Sequence, residues 1–100
     1  FHGTNAAASG PFLGGTLCVA APIRRTPVLS SGGDPLSNPC SGAFAIDLNA
    51  FAHGLLGGSP SPLLSVSGTT VWCQWWGRDP GFAQPNNVTL TDALAYSVQP

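Results

Sequence analysis

Lysine, glutamate and methionine are absent from this 100-residue chain, and only 7% of its residues are charged. Ordinary soluble domains carry roughly 25%. Arg24, Arg25 and Arg78 are the basic residues; Asp34, Asp47, Asp79 and Asp92 are the acidic ones. Solvated amphipathic helices need a charged outer face, which this composition cannot supply. The net charge of −1 leaves no basic stripe to neutralise phosphates, so nucleic acid is not an expected partner. No polybasic segment or basic amphipathic helix points to a membrane surface. The apolar runs fall far short of the roughly 20 residues of a transmembrane helix, so no membrane insertion is expected.

The chemistry-bearing residues are equally sparse. Cys18, Cys40 and Cys73 have none of the paired short spacings of a zinc site, and there are only two histidines, His2 and His53. No metal and no cofactor are expected. A Ser/His/Asp set can be assembled on paper from the serines, His53 and an aspartate, but no Gly-x-Ser-x-Gly elbow supports it. Paired carboxylates for glycoside hydrolysis would have to come from aspartates in different segments. Chance explains both, and no catalytic residue is assigned.

What the chain does hold is 43% apolar residues, with 13 glycines and 10 prolines. Its length fits one domain, residues 1–100, with a single core. It starts at Phe1 with no signal peptide, as expected of a matured product or a piece of a longer exported protein. Gly, Pro, Ser, Thr and Asn take the polar positions, and these residues build turns and short strands. An oxidising compartment would allow one disulfide among the cysteines, leaving one thiol over. Three pairings exist, and spacing does not choose among them.

Along the chain, Phe1 to Gly15 reads as a short strand or extended arm followed by a loop. Thr16–Val19 is a compact strand, and Ile23–Val28 an edge strand interrupted by Pro27. Leu29–Gly42 is a long Ser/Gly/Asp/Pro/Asn loop. Ala43–Leu48 carries the cleanest alternation, with Phe44, Ile46 and Leu48 on one side and Ala43, Ala45 and Asp47 on the other. Asn49–Leu56 predicts one helical turn capped by Asn49. Leu63–Val66 is a further short strand. Val71–Arg78 holds all three tryptophans, Asp79-Pro80-Gly81 breaks it, and Leu94–Val98 closes the chain as a strand. Short strands joined by Gly/Pro turns predict an all-β fold, a small antiparallel β-sandwich with long Gly/Pro/Ser loops.

In a strand, Trp72 and Trp76 share one face while Trp75 lies with Val71 and Cys73. Trp75 is the expected core member. Trp72 and Trp76, with Arg78 and Asp79 at the strand end, form a candidate carbohydrate-binding face, because aromatic rings stack on sugar C–H faces. Against that, Arg78 is readable as a structural pin bonded to loop carbonyls or paired with Asp47 or Asp92. Asp79 with Asp92 makes a weaker calcium candidate. Asn87-Val88-Thr89 fits the N-glycosylation sequon, with Asn87 as acceptor.

Leu17-Cys18-Val19, Arg24-Arg25-Thr26-Pro27, Asp47-Leu48-Asn49-Ala50-Phe51, the run Val71 to Phe82 and Leu90-Thr91-Asp92-Ala93-Leu94 together carry a family likeness. The chain resembles an uncharacterised family of secreted bacterial C-terminal β-sandwich modules. Members share an LCV…R segment, a D-L-N/T-A strand, a Q-[W/Y/F]-[W/Y]-x-R-D-P motif and an L-[S/T]-D-[A/G]-L run before the last strand. The likeness spans nearly the whole chain and implies fold and export rather than chemistry. Relatives often carry a cysteine in the final strand, where this chain has Ser97-Val98-Gln99-Pro100.

The expectation is a secreted or cell-surface structural module with no enzymatic activity, packing with copies of itself or with a parent protein. An uncharged surface is a poor colloid but a good interface. The alternative is a carbohydrate-binding module, with polysaccharide as partner, using the tryptophan-bearing strand.

Overall fold

A computed structural model describes residues 1–33, 42–79 and 81–100. Its strands are β1 (His2–Gly3), β2 (Ala7–Phe12), β3 (Gly15–Val19), β4 (Thr70–Arg78) and β5 (Val88–Ser97). The larger sheet has the order β1-β4-β5, β2 and β3 form a second sheet, and every pairing is antiparallel. Among the described residues, helical structure is confined to α1 (Leu48–Ala52) and a 3₁₀ turn at Pro62–Ser65. The chain is all-β, in keeping with a composition that cannot dress a helix in charge.

Strands at Thr16–Val19, Val71–Arg78 and Leu94–Val98 form as the patterning predicts, the last as the end of a longer β5. Five other expectations are corrected. Ala43–Leu48 forms no strand, although Ile46 and Leu48 stay half-buried and Ala45 and Asp47 exposed. Asp47 instead caps α1: its Oδ1 accepts from Asn49 N at 2.9 Å and Ala50 N at 3.0 Å. A carboxylate satisfies orphan helix donors as well as an amide does, so the cap is Asp47 rather than Asn49. Ile23–Val28 makes only an isolated bridge from Arg24 to His2, because Pro22 and Pro27 lack ladder donors. Leu63–Val66 curls into the 3₁₀ turn, started by Pro62 and capped by Ser61 Oγ, which accepts from Leu63 N. In the N-terminal arm, the expected loop after the first strand is largely β2, hairpinned to β3.

The core is small. Phe51, Leu64 and Val71 form its central cluster, and Val19 is the other buried apolar side chain among the described residues. With strand alternation, Val71, Cys73 and Trp75 share the face covered by α1 and the 3₁₀ turn. Trp72, Gln74 and Trp76 face the β2–β3 hairpin. Gln74, 4% exposed, ties the two sheets together. Its Nε2 donates to Thr16 O at 2.9 Å and Thr91 O at 2.6 Å, and its Oε1 accepts from Cys18 N at 3.0 Å.

This alternation also explains the cysteines. Cys18 and Cys73 are free thiols. Gln74 points toward Cys18, so its neighbour Cys73 points to the opposite face, and the expected disulfide does not join these two. Cys40 lies outside the described residues, as do Asp34, Pro80 and most of the Leu29–Gly42 loop. Burial pushes the Cys73 thiol up from its ordinary pKa, which keeps it protonated and unreactive at neutral pH.

His2 is the anomaly of the interior. It is 2% exposed, its ring meets Phe51 edge-on at 5.5 Å, and neither ring nitrogen has a partner among the described residues. Burial, reinforced by neighbouring positive charge, lowers its pKa. A base held neutral in the fold contributes stability that is complete above its unfolded pKa, near 6.5, and is lost below it. Denaturant unfolding between pH 7 and pH 5 should therefore show stability falling by up to about 1.4 kcal/mol per pH unit below that value. His2→Leu should flatten this limb, and an unchanged slope in the variant would contradict the assignment.

Candidate binding cleft

The face of the larger sheet is closed at one end and open at the other. Around Val71 it is sealed by Phe51 and Leu64. Around Trp75 the only described cover is the irregular chain near Phe44, whose ring lies tilted 30° to Trp75 at a centroid distance of 5.4 Å. Trp75 is therefore half-buried rather than the core residue expected of it.

A β-bulge falls at this point. The register passes from Gln74↔Ala93 to Trp76↔Leu90, so Thr91 and Asp92 together oppose Trp75. Thr91 Oγ1 accepts from Trp75 N at 3.1 Å and donates to Asp92 O at 2.7 Å. Bulges bend a strand and re-aim side chains, and they recur next to binding sites.

Two adjoining clefts flank Trp75. The larger, of about 430 Å³, runs between the Arg25–Leu29 segment and the end of β4, with Phe1 and Phe44 at its margins. The smaller, of about 330 Å³, lies over Ile46, Leu48, Cys73 and Leu94. Phe1, Thr26, Phe44 and Trp75 line both. Among the described residues neither is lined by a histidine, and Asp92, in the smaller, is the one carboxylate.

The larger cleft is positively charged. The Arg25 and Arg78 guanidiniums lie over the Trp76 ring, 5.0 and 5.4 Å from its centroid, and Phe12 meets that ring edge-on at 6.4 Å. Cation–π contact of this kind stabilises by about 0.5–2 kcal/mol. Two of the chain's three basic residues thus converge on a wall that has no acidic side chain among the described residues.

Of the proposed carbohydrate-binding residues, the structure brings Trp76 and Arg78 together. Trp72 lines neither cleft; it pairs with Gly3 and Ala95 inside the sheet. Asp79 turns away, its Oδ1 accepting from Gly81 N at 3.0 Å and its backbone N donating to Asn87 O at 2.8 Å. Asp92 sits at the bulge, several pairs along the ladder from Asp79, and no metal-holding group of His, Cys or acidic residues occurs among the described residues. Arg78 rests on Trp76 instead of pinning a loop. Asn87 is half-buried in the turn before β5, and its Oδ1 is enclosed without a partner among the described residues.

Sequence reasoning missed Phe1, Arg25, Val28, Leu29 and Phe44. Val28 and Leu29, exposed beside Pro27, were readable as strand and loop but not as a cleft wall. Arg25 reaches Trp76 across half the chain, and no local pattern announces such a contact. No protein-family model, characterised protein or solved structure gives a significant match to this chain.

Proposed function

We propose that the chain is a non-catalytic extracellular assembly module that packs with copies of itself, or with a parent protein, through the open end of its larger sheet. The carrying observation is the apolar rim there. Phe44, Leu94 and Val28 are 45%, 60% and 100% exposed around the half-buried Trp75. The chain exposes 6687 Å², whereas a folded monomer of its 10.2 kDa exposes about 5300 Å². The surplus exceeds the roughly 800 Å² that each partner contributes to a standard protein interface. The scarcity of charge, the Asn87 sequon and the likeness to exported modules all support a place outside the cell.

A carbohydrate-binding role has less support. Trp72 and Trp76 do not form one open platform, and guanidiniums lie over the Trp76 ring where a sugar would stack.

Light scattering across a concentration series tests the assembly reading. The native chain should associate in the micromolar range. Phe44→Asp with Leu94→Asp places charge on the rim without touching the buried core and should return it to monomer. A native chain that stays monomeric throughout the series would overturn the reading.

A further inference from the structure

The outer edge of β5 changes character along its length. At Leu90 the β2–β3 hairpin packs against the strand, where a Cβ added to Gly15 would lie 2.9 Å from Leu90 Cδ1. At the bulge, Thr91 O accepts from Gln74 Nε2 and Asp92 O from Thr91 Oγ1, so these carbonyls are engaged. Beyond it the register is regular from Ala93 to Ser97. Val98 N donates to Thr69 O and Val98 O accepts from Gly68 N, each at 2.9 Å, so Val98 turns its backbone groups inward. Alternate residues of an antiparallel ladder bond to the same side. Leu94 and Tyr96 therefore bond to β4. The N–H and C=O groups of Ala93, Ala95 and Ser97 point out from the sheet, where no described strand pairs with them. Ser97 O accepts a 3.3 Å bond from the exposed Gln99 side chain, which an incoming strand would displace.

Natural sheet edges are guarded by charge, proline or a bulge. Ala93–Ser97 holds no charged residue and no proline, and the bulge lies before it. On one face Ala93, Ala95 and Ser97 are small and exposed. On the other, Tyr96 packs against the cluster of Phe51, Leu64 and Val71, and Leu94 beside it is 60% exposed.

We propose that β5 of one copy pairs antiparallel with β5 of a second copy about a two-fold axis at Ala95, joining the two larger sheets into one. Ala95 would exchange both backbone bonds with its counterpart, and Ala93 with Ser97. Leu94 then stands opposite Tyr96 of the second copy, in a close pair with Cα atoms about 4.5 Å apart, and the axis makes this contact twice. Such cross-strand side-chain pairs are what stabilise a sheet. An axis at Leu94 would set Ser97 against Thr91, whose carbonyl Gln74 already holds. An axis at Tyr96 would set Ala93 against Gln99, past the end of the strand. The axis at Ala95 also keeps the two Asp92 carboxylates roughly 20 Å apart along the strands, beyond the screening length of about 8 Å at physiological salt. A second copy is the fitting occupant because β5 itself supplies both members of the Leu94–Tyr96 pair in the register that receives them. The proposal rests on the assembly reading, and it names the strand that makes the contact.

In mixed samples of isotope-labelled and unlabelled chain, filtered NOE spectra should show Leu94 Hα against Hα of Tyr96, the one tyrosine, in the other copy. Hα contacts of Leu94 with its own counterpart, or of Tyr96 with its own, would overturn the register. Ala95→Pro removes an N–H that the ladder to β4 does not use, and proline is tolerated where the N–H faces outward. The variant should fold and should associate about tenfold or more weakly. Ala95→Ser, which keeps the N–H, should associate like the native chain. Light scattering reads association separately from register. Undiminished association of a folded Ala95→Pro chain would overturn the edge pairing and leave the assembly role standing. A native chain that stays monomeric would overturn both, whatever foreign strand its edge then takes up.

Discussion

Gln74→Glu, a change of one atom type with no change of shape, should destabilise the fold by about 3–5 kcal/mol at pH 7. The amide Nε2 donates to Thr16 O and Thr91 O while Oε1 accepts from Cys18 N. In the carboxylate, one oxygen still accepts from Cys18, but the other faces two carbonyl oxygens at donor distance with no proton to give. The site is 4% exposed, so water cannot relieve the repulsion. The carboxyl would hold its proton to unusually high pH in the fold. A folded pKa above the unfolded value near 4.3 means that the variant recovers stability as pH falls toward that value and loses it as pH rises. Measuring both proteins at each pH isolates this from the opposite trend contributed by His2. Gln74→Leu introduces no charge but leaves two carbonyls and one N–H unpaired, at about 1–3 kcal/mol for each that water does not reach, and should destabilise without adding a pH dependence of its own. Chemical denaturation at several pH values decides the matter. A Gln74→Glu protein as stable as its parent at pH 7 would show that the two sheets do not depend on this side chain.

Gln74 also marks the limit of what the sequence discloses. Its place in the middle of the tryptophan-bearing strand is legible, because the two-sided bulk of Val71 to Arg78 reads as a buried strand and Asp79 and Gly81 bound it. Its role is not, because Thr16 and Thr91 lie far off in sequence and only the packing of the hairpin on the larger sheet brings their carbonyls together. The all-β class is legible for a global reason: a chain without Lys or Glu cannot solvate helices. Local alternation misleads at Ala43–Leu48. The pattern is that of a strand, but no neighbouring edge receives it, while the Asp47 carboxylate finds the free N–H groups of Asn49 and Ala50. The cleft is the least legible feature. The Trp75 pattern implies burial, and only the register shift at Thr91–Asp92 and the absence of a described cover beyond Phe44 show that its face opens toward Arg25 and Val28.

Phe51→Ala should be the most damaging apolar substitution, costing about 3–5 kcal/mol. Phe51 has 0% exposure and touches both halves of the interior, meeting Leu64 and Val71 on one side and the His2 ring at 5.5 Å on the other. Few other side chains share the load, since Val19, Leu64 and Val71 are the remaining buried hydrophobics among the described residues. Domains of this length keep only about 5–15 kcal/mol in total, and a flat molecule of 44 × 30 × 18 Å belongs toward the lower end, because it buries less for its length. The cavity would open beside a histidine with no partner for either nitrogen. Water entering it would hydrate that ring, so the variant should lose both stability and much of the pH dependence that His2 imposes. That coupling separates loss of the shared core from a simple loss of bulk. Leu55→Ala, at a side chain 76% exposed, should cost under about 0.5 kcal/mol and leave the pH limb intact. Near-uniform costs for the two substitutions in urea titrations would mean that Phe51 is not where the interior is held.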